Sequence, residues 1–104
     1  MRRGEIWWAD LPRPAGRRPV LILSRDVAIQ VREYVTVAEV ATTMRHIPVE
    51  IHLTRHDGLP RECVVNLDVI NTIPKKLVTE KITLLSSEKM EAVEKAVKFA
   101  LGTL

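Results

Sequence analysis

The sequence predicts a mainly β protein of the α+β class, one small barrel of five to seven short strands closed by a C-terminal helix. Three observations predict it. Short segments rich in β-branched and aromatic residues are separated by clusters of proline, glycine and polar residues. Several of these segments alternate apolar and polar residues, as half-buried strands do. Only the C-terminal segment repeats its apolar residues at helical spacing. With 104 residues the chain is the size of one domain, expected over 1–104.

The first half of the chain predicts three strands and one helical turn. Residues 5–10, with two adjacent tryptophans, form a strand, and residues 11–16 form a loop because they hold two prolines and a glycine. Residues 18–24 form a second strand, whose continuous apolar run indicates burial on both faces. Residues 26–31 form a helical turn. Residues 34–43 form a long third strand with two alternating faces.

The second half predicts shorter strands. Residues 48–53 form a fourth strand and residues 54–61 a polar loop with a glycine and a proline. Residues 62–67 form a fifth strand, residues 68–70 a turn, and residues 71–74 another short extended piece.

A last strand over 81–85 precedes the one clear helix. Ser86 suits its N-cap, Glu88 its first turn and Gly102 its termination. One helical face carries Met90, Val93, Val97, Ala100 or Leu101, and Leu104.

The bulk properties exclude several classes of protein. No apolar run approaches the length of a membrane span, and the N-terminus lacks the apolar core of a signal peptide, so we expect a cytoplasmic protein. Cys63 is the only cysteine, which excludes an internal disulfide and predicts a small buried side chain. Of the three histidines, His46, His52 and His56, the last two are four residues apart, but they lie in a strand–loop segment and not on a helix, so we expect no metal site.

Arginine carries the positive charge of the N-terminal part. All ten arginines lie within 2–61 and all six lysines within 75–98. Arg17, Arg18 and Pro19 directly precede the apolar run of the second strand, which would hold a guanidinium fork rigidly toward a phosphate. The alternative is a pair of solvated surface arginines.

Two further features are candidates for binding. Thr42 to His46 ends a predicted strand with hydroxyl and basic groups that suit a phosphate, although threonine also simply favours strands. Trp7 and Trp8 point to opposite faces. One is expected in the core, and the other in a subunit interface or, less favoured, as a stacking platform.

Several blocks together resemble the MazF/PemK toxin family over essentially the whole chain. The strongest are Arg17–Ser24 with its Arg-Pro-Val sequence and the Asn-Leu-Asp block within 63–73. The others are residues 2–11, residues 37–43 with Arg45, Pro48 and Glu50, and Leu77, Ile82, Leu85 and Ser86 with the terminal helix.

The resemblance implies an SH3-like barrel of the CcdB/MazF/PemK toxin fold and a concrete activity. Such toxins are homodimeric endoribonucleases that cleave single-stranded mRNA, tRNA or rRNA at short motifs without a metal or other cofactor. A cognate antitoxin blocks the RNA groove. In the reaction that we expect, the substrate's 2′-hydroxyl would attack the adjacent phosphorus and leave a 2′,3′-cyclic phosphate and a 5′-hydroxyl.

The resemblance assigns roles to residues of this chain. Arg18 matches the catalytic arginine and would stabilise phosphoryl charge. The family's threonine falls at Ala41. Thr42 can supply the missing hydroxyl only if the strand end twists or bulges, because neighbouring residues of a strand face opposite ways. The residues expected to bind RNA are Arg13, Arg17, Arg25, Thr43, Arg45 and His46.

Two alternatives stay open. Ala41 favours a catalytically impaired member that only binds RNA or antitoxin. A gyrase poison of the CcdB type shares the barrel but depends on a C-terminal tryptophan, and this chain ends Ala-Leu-Gly-Thr-Leu.

Overall fold

A computed structural model of the protein describes residues 1–103. One antiparallel sheet of six strands curls into a half-barrel, with the strand order β4-β5-β3-β2-β1-β6. The mainly β prediction with five to seven strands is confirmed. The strands are β1 (Glu5–Asp10), β2 (Arg17–Ile22), β3 (Tyr34–Ala41), β4 (Glu50–Leu53), β5 (Cys63–Pro74) and β6 (Val78–Leu84), and the helices are α1 (Asp26–Val31) and α2 (Ser87–Leu101).

The two faces of the sheet each carry an apolar core. One core joins the sheet to α2, through residues that include Leu21 of β2 and Val93 of the helix. The other includes Val20 and Ile22 of β2 and packs against Ile29 of α1. All three of these β2 residues are fully buried, as the continuous apolar run predicts. Since each such side chain contributes about 1.5–3 kcal/mol, β2 is held firmly between the two cores.

Strand β3 is shorter than predicted, because its hydrogen-bonding partner ends. Its last pairs with β5 join Val40 to Val65 and Ala41 to Val64. Strand β5 begins at Cys63, so the ladder stops there and the chain bends at Thr42. The prediction that the strand extends through residue 43 is therefore wrong, and Thr42 and Thr43 lie beyond the strand.

Strand β5 is a single strand, so the predicted turn over 68–70 is wrong. Ala38 pairs with Ile70 while Val40 pairs with Val65, so β5 carries extra residues between the two pairs. Within that stretch the Asn66 side chain accepts a hydrogen bond from the N–H of Asp68, at 2.9 Å. Turn-forming residues here make a bulge inside the strand rather than a reversal of the chain.

The remaining boundaries differ by a few residues. Strand β2 runs over Arg17–Ile22 rather than 18–24, and β4 begins at Glu50 rather than at residue 48. A short 3-10 turn, Lys75–Leu77, leads directly into β6, which therefore begins at Val78 rather than at residue 81.

Helix α2 has the predicted caps and the predicted buried face. The Ser86 hydroxyl accepts a hydrogen bond from the N–H of Lys89, at 3.1 Å, and Gly102 ends the helix with a φ of 70°. Ala100 packs against the core whereas Leu101 is 65% exposed. Leu104, placed on this face by the sequence pattern, lies outside the described residues. Neither helix is long and apolar enough to span a membrane, over the part of the chain described.

Candidate functional site

A cleft of about 400 Å³ opens at the end of the sheet where β2 begins and β3 ends. The antiparallel pairing of β2 with β3 places the start of one strand beside the end of the other. Residues distant in sequence therefore meet there. We call this the Arg18 cleft, and its lining residues are Trp8, Arg17, Arg18, Pro19, Val40, Ala41, Thr42, Thr43, Leu59, Pro60, Arg61 and Cys63.

Arg18 is held in one orientation by two hydrogen bonds. Its Nη1 donates to Oε1 of Glu39, at 3.1 Å, and its Nη2 donates to the carbonyl oxygen of Ala15, at 3.3 Å. The side chain remains one-third exposed toward the cleft. A guanidinium has five N–H donors, so this fork keeps donors free for an anion.

Arg17 is held on the outer wall of the same cleft. Its guanidinium lies over the ring of Trp8, and its Nη1 contacts Asp10 Oδ1 at 3.3 Å and Thr79 Oγ1 at 3.2 Å. Trp7, on the opposite face of β1, packs against the second core and donates to Glu5 Oε1 at 3.0 Å. The tryptophans thus face opposite sides, as strand geometry predicts, and both are partly buried.

Three consecutive residues form the wall opposite Arg18. Ala41 is the last residue of β3, and strand alternation places it on the same side as Glu39. Thr42 and Thr43 follow the strand and are exposed. Because no ladder fixes them, alternation does not turn Thr42 away from Arg18, and both hydroxyl-bearing residues line the cleft.

Four of the sequence-predicted residues lie outside the cleft lining. Arg13 is exposed in the loop between β1 and β2, near the cleft end of the sheet. Arg25 precedes α1, past the opposite end of β2. Arg45 and His46 both donate their backbone N–H to Glu50 Oε1, at 2.8 and 3.0 Å, and His46 borders a separate hollow of about 120 Å³.

The structure adds Arg61, which the sequence analysis did not single out. It is exposed in the cleft, two residues before β5, and makes no salt bridge with any side chain in residues 1–103. The end of β3 and the start of β5 are neighbours because the strands are antiparallel. The sequence does not show this pairing, and the loop that holds Arg61 has only ordinary turn residues. Nothing local in the sequence therefore places Arg61 at the cleft.

Cys63 lines the cleft but is not a reactive thiol. Burial, with a smaller contribution from the charge of Asp57, raises the pKa of Cys63 to about 11. The thiol is therefore protonated at neutral pH and is a poor nucleophile. Among the described residues, no three His, Cys, Asp or Glu side chains are arranged to share a metal ion.

Comparison with known proteins identifies relatives of the whole chain. The family model described as "PemK-like, MazF-like toxin of type II toxin-antitoxin system" matches residues 2–101. The chain is 36% identical over 103 residues to "Probable endoribonuclease MazF2" of Mycobacterium tuberculosis, covering 98% of this chain and 99% of that protein. The family match over residues 2–101 includes every residue that lines the Arg18 cleft.

Two solved structures have the same fold. One is the "Mycobacterium tuberculosis toxin MazF-mt6", with a TM-score of 0.87 and 33% identity, over 94% of this chain and 96% of that one. The other, an "Endoribonuclease in complex with its cognate antitoxin from Mycobacterial species", has a TM-score of 0.90 and 27% identity, over 100% and 97%. The fold is thus shared with experimentally determined structures.

Proposed function

The chain belongs to the PemK-like, MazF-like toxin family of type II toxin-antitoxin systems, and on that premise we propose that it is an endoribonuclease toxin acting on single-stranded RNA. The observation that carries the proposal is the composition of the Arg18 cleft. Three arginines and two threonine hydroxyls line it, and no carboxylate does so among the residues described. Such a surface attracts a phosphodiester and repels no part of it.

The proposed reaction uses the substrate's own nucleophile. The 2′-oxygen bonds to the adjacent phosphorus while the bond from phosphorus to the 5′-oxygen breaks. Water takes the proton from the 2′-hydroxyl and returns one to the leaving oxygen. The products are a 2′,3′-cyclic phosphate and a 5′-hydroxyl. No metal or other cofactor enters this scheme.

Arg18 and Thr42 are proposed as the catalytic residues. The free N–H groups of Arg18 would stabilise the charge that develops on the phosphoryl oxygens. Thr42 would donate its hydroxyl to the same phosphate. Ala41 occupies the family's usual threonine position, and the exposed place of Thr42 beyond the strand supports its acting as the substitute.

The remaining basic residues are proposed to hold the RNA. Arg17, Thr43 and Arg61 line the cleft and would contact phosphates beside the scissile one. Trp8 would offer an apolar surface for contact with an RNA base. Arg13, Arg25, Arg45 and His46 lie outside the lining and would act at longer range through their charge.

The family also indicates partners. A related endoribonuclease has been solved with its cognate antitoxin, and we propose that an antitoxin segment likewise occupies the cleft of this protein. We further propose that residues 1–104 form one toxin domain, which works as a homodimer in the cytoplasm.

The deciding experiment maps the 5′-hydroxyl ends produced when the purified protein meets a mixed pool of single-stranded RNA. New ends at a recurring short motif, abolished in Arg18→Ala and unchanged in Arg32→Ala, are the expected result. Arg32 is a matched control because it is exposed at the other end of β3. Arg18→Ala cutting as well as the parent would refute the mechanism.

The second candidate function is RNA or antitoxin binding without cleavage, and Ala41 is the observation that favours it. Tight RNA binding without any product over hours, also in Ala41→Thr, would establish this alternative.

A further inference from the structure

We propose that Glu39 is a positioning residue that holds the Arg18 guanidinium in the orientation required for RNA cleavage. This inference rests on the proposed ribonuclease function and adds to it a residue that does not touch the substrate. The alternative role, a solvated ion pair without effect on the reaction, makes different predictions.

Glu39 forms a salt bridge with Arg18 from a position outside the cleft lining. Its Oε1 lies 3.1 Å from Arg18 Nη1, and its side chain is only 17% exposed. Glu39 pairs with Val20 across the β2–β3 ladder, so the contact joins two strands and is not made by mobile loops. Because Glu39 is absent from the cleft lining, it acts on RNA only through Arg18.

The second carboxylate oxygen is also anchored. Asn71 of β5 donates its Nδ2–H to Glu39 Oε2 at 3.1 Å. Asn71 is the cross-strand partner of Val37, so a chain of hydrogen bonds runs from β5 through β3 to Arg18 on β2. Anchoring both oxygens fixes the position of the carboxylate, and this carboxylate and the Ala15 carbonyl hold the guanidinium at two points.

The remaining contacts of Arg18 leave part of its fork free. The carbonyl oxygen of Ala15 takes one Nη2–H, while Nε is buried without a hydrogen-bond partner in the part of the chain described. Glu39 and Ala15 together use two of five N–H donors. The second hydrogens of Nη1 and Nη2 remain for a phosphate, and they point where Glu39 and Ala15 direct them.

The Glu39 carboxylate also weakens the binding of RNA to Arg18. A negative charge 3.1 Å from Nη1 offsets much of the attraction that Arg18 has for RNA. Positioning and charge therefore act in opposite directions. Glu39→Gln removes the charge and keeps one acceptor oxygen, which faces Arg18 when the Asn71 side-chain amide turns its own oxygen toward the new NH2 group. Glu39→Ala removes the charge and both acceptors.

The test compares the steady-state kinetics with which the parent, Glu39→Ala and Glu39→Gln cleave an RNA oligonucleotide that carries the mapped site. We expect Glu39→Ala to lower kcat about 10- to 100-fold, as misplaced catalytic groups do. We expect Glu39→Gln to keep kcat within about 3-fold of the parent, because it keeps the hydrogen bond, and to lower KM. Glu94→Ala, which breaks the distant ion pair with Arg3, is the matched control and should change neither constant.

The outcomes separate the two proposals. A parent that cuts no RNA refutes the proposed function. If the parent cuts RNA and Glu39→Ala has the parental kcat, the positioning role is refuted and the proposed function is not. The same holds if Glu39→Gln loses as much kcat as Glu39→Ala. Where the alanine variant unfolds, Glu39→Gln is compared with the parent instead, because Gln is nearly isosteric with Glu. A loss of kcat of about 10-fold or more in Glu39→Gln would then refute the positioning role.

Discussion

The guanidinium of Arg17 lies over the indole ring of Trp8, with Cζ 4.9 Å from the ring centroid. Arg17 also pairs with Asp10 at 3.3 Å, an exposed contact of little energetic weight. Its neighbour Arg18 is instead held by a partly buried carboxylate. The adjacent arginines therefore have different surroundings, and we expect them to contribute differently to RNA cleavage.

Replacing Arg17 should weaken RNA binding and spare the chemical step. Arg17→Ala removes one phosphate contact and the partner of Trp8, so we expect KM to rise about 5- to 10-fold with kcat nearly unchanged. The negative slope of the logarithm of the binding constant against the logarithm of the salt concentration should become less steep by about 0.7. Fluorescence titration of non-cleavable RNA at several salt concentrations measures the slope.

Arg17→Lys is the matched variant, because it keeps the charge and loses the planar stacking. It should keep the parental salt slope while binding more weakly. A drop in kcat for Arg17→Ala as large as that for Arg18→Ala would contradict the division of roles.

The cleft was predictable from the sequence only where its residues lie next to a readable strand. Arg17 and Arg18 stand directly before the apolar run of β2, and Thr42 and Thr43 follow the pattern of β3. Arg61 and Glu39 could not be found in that way. Their positions depend on which residues pair across the sheet and where a strand stops, and neither is encoded in local periodicity.

Thr42 should supply the hydroxyl that Ala41 lacks. Thr42→Val keeps the shape and removes the donor, so we expect kcat to fall about 100-fold, as when a preorganised donor is lost. Thr43→Val is the matched control and should raise KM more than it lowers kcat. Cleavage rates on the mapped oligonucleotide measure both constants.

Ala41→Thr tests the same wall of the cleft by adding a hydroxyl, where Thr42→Val removes one. A hydroxyl added there faces the side of Glu39 and Arg18, and a productive hydrogen bond would raise kcat about 10-fold. Parental kcat in Thr42→Val would show that Thr42 is not the phosphate donor.

Glu5 should make the folding stability depend on acid pH. Burial raises the pKa of Glu5, but hydrogen bonds from Trp7, Lys81 and the N–H of Arg2 outweigh burial and lower the pKa below 4.5. A lowered folded-state pKa stabilises the protein above the unfolded value, and this contribution disappears as pH falls through the folded value. We expect Glu5→Gln to cost about 1.5–3 kcal/mol at neutral pH.

The measurement is urea unfolding of parent and Glu5→Gln between neutral pH and about pH 3. The difference in free energy of unfolding should shrink once pH falls below 4.5. Glu94→Gln, at an exposed carboxylate, should show no such convergence. A difference that stays constant with pH would contradict the role given to Glu5.

Most of the fold was predictable because its strands and α2 carry clear patterns and caps. Strand β5 was the exception, since Asn66 and Asp68 are typical turn residues. What keeps the chain extended through this stretch is pairing on both sides of it, of Val65 with Val40 and Ile51, and of Ile70 with Ala38. Such tertiary pairing overrides the local preference of these residues for a turn, and it cannot be predicted from the order of residues along the chain.

Gly58 should tolerate substitution far less than Gly16, although both have positive φ values, 95° and 69°. A Cβ on Gly58 would collide with the Thr83 side chain, whose hydroxyl donates to the carbonyl of Asp57 at 3.0 Å, whereas a Cβ on Gly16 meets open space. We expect Gly16→Ala to cost about 1 kcal/mol and Gly58→Ala about 2–5 kcal/mol in urea unfolding. Thr83→Ala should recover part of the larger loss when combined with Gly58→Ala, because it removes the colliding hydroxyl. Equal losses in the two glycine variants would mean that φ alone, and not the contact with Thr83, makes glycine necessary beside the cleft wall formed by Leu59, Pro60 and Arg61.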